Sequence, residues 1–219
     1  MNPLKTFEKL SAEKQERITR VAVEEFSRNG FHGTSTNTIV DRLGIAKGSI
    51  FKYFGDKNGL FRFIFTMSLE KVKSYLREVR DRTESESLFV RLEETLRAGV
   101  RFVNKHPSLY RLYLRVMFER QIPHRDEILI ALRKYSHDYL KSLLKTARER
   151  GEIRSDVDLD MAGFVLDAVM DRFLQAQAIQ HLDAGLGLYG ISSEDAEPWI
   201  TFLVKSLRGG LEAHPVQPK

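Results

Sequence analysis

The stretch from Thr34 to Lys57, T-S-T-N-T-I-V-D-R-L-G-I-A-K-G-S-I-F-K-Y-F-G-D-K, constrains the fold more than any other part of the 219-residue chain. It reads as two short helices joined by a tight turn. Thr34, Ser35 and Thr36 each offer a hydroxyl oxygen that can accept from the unpaired amides of an opening helical turn. Ile39, Val40 and Leu43 follow at the spacing of one narrow apolar stripe. Gly44 then ends the first helix, because glycine enters the left-handed conformation without the steric cost other residues meet. The second helix is expected to start near Lys47, with Ile50 and Phe54 four apart on one face. Lys47, Ser49, Lys52 and Tyr53 are left pointing elsewhere. The pattern is a helix-turn-helix whose second helix is polar and partly basic.

The rest of the chain reads as helices. An amphipathic helix over Ser11 to Asn29 carries Ile18, Val21, Ala22 and Phe26 and stops at Gly30. Residues before Ser11 read as a loose arm or irregular lead-in. The expected core of this region is Leu10, Ile18, Val21, Phe26, Phe31, Ile39, Val40, Leu43, Ile50 and Phe54. Asp56 is the expected N-cap of a long, proline-free helix to about Arg82. Further helices are expected over Leu88 to Lys105, Leu109 to Glu119, Asp126 to Arg150, Asp156 to about Asp183, and Glu194 to about Leu211. No segment reads as a strand, so the fold class is all-α with about nine helices.

Composition removes several functions. The absence of cysteine rules out disulfides, thiol catalysis and sulfur-ligated zinc, and suits a reducing cytoplasm. The charged N-terminus reads as no secretory leader, and no run approaches the ~18 apolar residues of a membrane span. Up to Lys57 the chain has ten Lys/Arg against seven Asp/Glu, whereas the remainder has 25 against 23. The basic surplus is denser beside the helix-turn-helix, where phosphate attraction would use it; ordinary solvated charge would look the same. Gly185-Leu-Gly-Leu-Tyr-Gly190 fits G-x-G-x-x-G, but no strand precedes it, so it reads as a flexible loop. His124-Arg125-Asp126 mimics a kinase loop without the asparagine that loop needs. The six histidines are scattered, and no metal site is expected.

Gly30-Phe31, Thr34 to Ile39, the run Gly44-Ile45-Ala46-Lys47-Gly48-Ser49-Ile50-Phe51-Lys52-Tyr53-Phe54, and then Lys57 and Leu60 together resemble the DNA-binding segment of the TetR family of bacterial transcriptional regulators. The resemblance covers residues 12 to about 65; beyond it the chain is similar only in being helical. It implies a three-helix helix-turn-helix DNA-binding domain over 1–55 and a helical effector-binding and dimerisation domain over 56–219. It also implies a cytoplasmic homodimer on a palindromic operator in double-stranded DNA, more often a repressor, answering to a small-molecule effector, with neither catalysis nor cofactor. Carried over by position, Thr36 and Asn37 reach phosphate and sometimes a base. Lys47, Gly48 and Ser49 enter the major groove, Phe51, Lys52 and Tyr53 flank it, and Lys57 meets a phosphate at a helix N-terminus. Three residues depart from the family's habit. Ala46 stands where a capping serine is common, a loss of about 1 kcal/mol. Phe51 replaces a common tyrosine, and Lys52 a common histidine.

Beyond residue 56 most of the aromatic load reads as core, and part of it is expected to line an effector pocket, apolar or aromatic in taste, whose candidate walls are Phe65, Phe102, Tyr110, Tyr113, Phe118, Tyr139 and Phe164, with Asp167 as a polar group. Asp167 and Asp171, four apart, could recognise a cationic group, or be solvated or paired with Arg172. The last two helices are apolar on more than one side, which suggests a surface for a second chain, with Phe173, Trp199, Phe202, Leu203 and Ser206 as candidate interface residues. Burial within a monomeric core is the competing reading. The rival function is a helical carrier or enzyme for an apolar ligand with a DNA-binding-like N-terminus, and steep salt dependence of duplex binding discriminates against it.

Overall fold

The structure, a computed structural model, describes residues 3–212. Among these are ten helices and no strand: α1 (Pro3–Glu8), α2 (Ala12–Gly33), α3 (Thr36–Leu43), α4 (Ser49–Phe54), α5 (Lys57–Arg82), α6 (Leu88–Lys105), α7 (Pro107–Phe118), α8 (Arg125–Glu149), α9 (Leu159–Ala178) and α10 (Glu197–Leu211). No helix among the described residues is long and apolar enough to cross a membrane. The helix beyond the expected nine is α1. Phe7 on it is buried and packs against Phe54 and Phe63, with ring centroids 4.9 Å away in each case. The lead-in expected to be loose is therefore ordered, by rings distant in sequence.

The chain divides into two compact units. One comprises the described residues up to Val72 together with His106–Leu129; the other comprises Lys73–Lys105 and the described chain from Ile130 onward. The sequence-drawn boundary after residue 55 differs, and its outer ends, 1–2 and 213–219, lie outside the described residues. The first turns of α5 and all of α7 join the first unit because their side chains complete its core. Phe26, Phe31 and Phe61 form one ring cluster, Phe61 lying 5.2 and 5.4 Å from the other two. From α7, the Arg115 guanidinium donates to Ser27 O at 2.7 Å and also to Arg28 O, and binds Glu119 one turn on. His32 Nε2 lies 2.7 Å from Gln121 O.

Gly30 is where these contacts converge. Its φ of 67° is left-handed, so α2 kinks there and continues to Gly33 instead of stopping. Thr34 Oγ1 holds the kink, donating to Gly30 O at 2.7 Å with Glu25 O at 3.2 Å. A Cβ at position 30 would lie 2.9 Å from Glu119 Oε2 and 3.1 Å from Arg115 Nη1.

In the second unit, α6, α8, α9 and α10 share one apolar core built on Leu92, Leu96, Leu144, Leu166, Phe173 and Ile200. Glu152 accepts from the Leu88 amide at 2.6 Å and so caps α6. The glycine-rich loop before α10 is organised by Asp183, whose carboxylate accepts from the amides of Gly185 at 3.1 Å and Leu188 at 2.8 Å. Those amides hold the carboxyl below its ordinary pKa. Arg125, in the kinase-like tripeptide, closes the end of α7 by donating to Val116 O at 2.9 Å and Met117 O at 2.7 Å. Gly30→Ala is expected to lower the unfolding free energy by about 1–2 kcal/mol, measured by urea denaturation; an unchanged midpoint contradicts the need for glycine at the kink.

Candidate nucleic-acid interface

The helix-turn-helix is assembled from local signals. Ser35 is the N-cap of α3, its Oγ accepting from the Asn37 amide at 3.2 Å. Gly44 terminates α3 at φ 63°, ψ 36°, donating to Asp41 O, while the Ile45 amide returns to Val40 O at 3.2 Å. That pair of bonds turns the chain sharply toward α4. α4 begins at Ser49, two residues later than Lys47 suggests, because Lys47 and Gly48 form a turn and no side chain caps the helix. The N-cap position falls on Gly48 and not on Ala46, and glycine has no side chain to cap with.

Six residues make a helix far too short to persist alone in water. α4 persists because Ile50 and Phe54 are buried, each contributing roughly 1.5–3 kcal/mol. With those two fixed inward, Lys47, Gly48, Phe51 and Lys52 are exposed, and Ser49 and Tyr53 are half-buried. Phe51 is 55% exposed although it is a large apolar ring flanked by Ile50 and Lys52. On the adjoining α3, Asn37 is exposed and Thr36 half-buried in the first turn. Tyr53 owes its partial burial to an edge contact with Phe7 at 6.2 Å.

Two cations near this surface are held by the protein itself. Arg42 on α3 donates to Glu24 at 2.5 Å and Glu25 at 2.6 Å on α2, and these bonds push its pKa above the ordinary value. Glu25 is buried and also accepts from Asn29 at 2.9 Å, so the trio sets the angle between α2 and α3. Lys57, expected to be a phosphate ligand, donates to Thr34 O at 3.1 Å and lies 4.6 Å over the Phe31 ring. Asp56 caps α5 as expected, accepting from the Gly59 amide at 2.7 Å. Asp56 and Lys57 therefore stand together at a joint between the end of α2 and the start of α5, with Lys57 half-buried there.

The other candidate residues are divided between the units. Phe65 and Tyr110 are buried in the first, where Tyr110 and Tyr113 lie 5.4 Å apart. Phe102 is buried in the second against Tyr75, at 5.4 Å. Tyr139 lies in the same unit, its hydroxyl 3.1 Å from Thr95 Oγ1 and its pKa raised by burial. Phe118 and Phe164, expected as cavity walls, instead face outward at 61% and 70% exposure. Asp167 accepts from Arg133 at 3.0 Å and also from Ser136, and Asp171 accepts from Arg133 at 2.9 Å. Their partner is thus Arg133, while Arg172 donates to Leu182 O. Among the expected interface residues, Phe173 is buried in its own chain's core, which removes it from the surface, and Trp199 is half-buried against that core. Leu203 is half-buried against the same core, and Phe202 and Ser206 are exposed.

Residues 18–64, from the first third of α2 into α5, match the family model described as bacterial regulatory proteins, tetR family. A crystal structure of a TetR family transcriptional regulator from Chloroflexus aurantiacus is 26% identical, with a TM-score of 0.72 over 96% of this chain and 98% of that one. The chain belongs to the TetR family. As a TetR-family transcriptional regulator it has a helix-turn-helix DNA-binding domain, and the matched span coincides with the buried scaffold that fixes α4. The Escherichia coli K12 protein named "Probable acrEF/envCD operon repressor" is 21% identical over 166 residues, 74% of each chain. The transcriptional regulator FadR from Bacillus subtilis, solved in complex with stearoyl-CoA, shares the fold at 17% identity, with a TM-score of 0.70 over 91% of this chain and 99% of that one. Sequence reasoning found the exposed face of α4; it missed α1 and the joint made by Lys57. The clue to α1 is Phe7, a lone aromatic ahead of Leu10.

Proposed function

We propose that this TetR-family regulator is a cytoplasmic, dimeric, effector-responsive repressor that places α4 of each subunit in the major groove of a palindromic operator. The observation that carries the reading is the exposed face of α4, where Phe51 and Lys52 stand in solvent on a helix anchored by Ile50 and Phe54, with Lys47 exposed in the turn just before it. Lys47 donates to guanine O6 or N7, Ser49 serves a base or a phosphate, and Gly48 admits close backbone approach. Thr36, Asn37, Lys52 and Tyr53 position the helix on phosphates, and Phe51 meets a thymine methyl. Lys57 acts through the joint it makes with Thr34. Lys47→Ala is expected to weaken specific binding by about 1–3 kcal/mol and to reduce the salt slope by about one. Fluorescence anisotropy titrations at several salt concentrations measure both, and a variant as tight as the parent removes Lys47 from the base-reading set.

The dimer reading is supported by apolar side chains left in water. Met161, Phe164 and Val165 lie at i, i+3 and i+4 on α9, with Met161 72% exposed, and Phe202 on α10 is 65% exposed. A stripe of this kind on a soluble chain marks a protein interface. Reading a palindrome requires a C2 pair to hold two copies of α4 about 34–36 Å apart, the spacing of successive grooves. FadR held with stearoyl-CoA supports an effector in the second unit, which would change operator affinity only as far as it discriminates between two spacings. Phe164→Glu is expected to convert dimer to monomer in sedimentation at micromolar concentration and to abolish operator binding; a parent that is itself monomeric rejects the dimer.

A further inference from the structure

The second unit contains a cavity of about 440 Å³. Its lining includes Arg80 and Asp81 near the end of α5, Glu84 just beyond it, Arg91 in the first turn of α6, and Thr146 and Arg150 at the end of α8. Arg91 sets this cavity apart. It is 6% exposed, and its Nε finds no hydrogen-bond partner among the described residues. The neighbouring cations are engaged. Arg80 donates to Asp81 at 2.9 Å, and Arg150 donates to the carbonyls of Glu84 at 3.0 Å and Glu86 at 3.1 Å.

A guanidinium stays charged at any pH that leaves the protein folded. Burying the Arg91 Nε without an acceptor is unfavourable unless negative charge is brought to it. Three guanidinium groups line the cavity against two carboxylates, and one of those, Asp81, is committed to Arg80. The planar fork of Arg91 matches the paired oxygens of a carboxylate or phosphate group, and the buried side chain of Leu143 gives an organic body an apolar wall. We propose that this cavity binds a compact oxyanion, a carboxylate or phosphate ester, whose charged group is received by Arg91. Such a ligand would bridge α6, α8 and the end of α5, the helix whose first turn carries Lys57. Uptake of the anion stands by itself; its use as the effector rests on the repressor reading above.

The test uses the purified full chain, titrated calorimetrically with inorganic phosphate and separately with benzoate, at fixed ionic strength in chloride. Saturable binding of at least one is expected, weakened about tenfold or more by Arg91→Gln and less by Arg91→Lys, which keeps the charge and loses the fork. Thr146→Glu carries its own carboxylate into the cavity; it is expected to raise the melting temperature without ligand and to abolish uptake. This variant decides the matter if Arg91→Gln fails to fold. A parent that takes up neither anion saturably, or uptake that survives in both Arg91→Gln and Thr146→Glu, overturns the proposal. DNA binding is measured on the same samples. Uptake of anion by a chain that ignores DNA sinks the repressor reading and leaves the site standing, and DNA binding without uptake does the reverse.

Discussion

The burial of Ile50 and Phe54 is the interaction on which the exposed face of α4 depends. α4 has too few backbone hydrogen bonds to hold itself together, and no side chain caps it. Its helicity and its orientation therefore come from the same two side chains, packed into a core that includes Ile39, Val40 and Leu43. Fixing them inward turns Phe51 and Lys52 outward, and Lys47 is exposed in the turn before them. Phe7 extends this core from the opposite side in sequence, its ring tilted against that of Phe54. The surface proposed to read DNA is thus an expression of apolar packing beneath it.

Around that core, polar joints set angles. Arg42 fastens α3 to two glutamates on α2, and Lys57 fastens the start of α5 to Thr34. Arg115 reaches from α7 to the carbonyls that precede the Gly30 kink. Each joint holds a cation within the protein, whereas Lys47 and Lys52 beside it are exposed. Net charge alone would not separate the two kinds.

Much of this was legible in the sequence, and the reasons are local. Gly44, Ser35 and Asp56 act through backbone geometry and caps within four residues of themselves, so their roles could be read directly. The limits of α6 coincide with Leu88 and Lys105 for the same kind of reason, a break before and Pro107 after. What escaped depends on partners far along the chain. α1 is ordered by Phe54 and Phe63, Lys57 by Thr34, and the Asp167–Asp171 pair by Arg133. Gly30 was read as a stop when it is a kink, because the contacts that carry α2 onward come from α7. Arg91 did leave a trace: it lies between Leu88 and Thr95 on the buried stripe of α6, where a charge is out of place.

Selection of bound sequences from a random duplex pool tests most directly whether the exposed face of α4 reads DNA. Enrichment of an inverted repeat, with half-sites one helical turn or a small multiple apart and lost when Lys47 is replaced, is the predicted result. A pool that emerges unenriched from a folded, dimeric chain would contradict it.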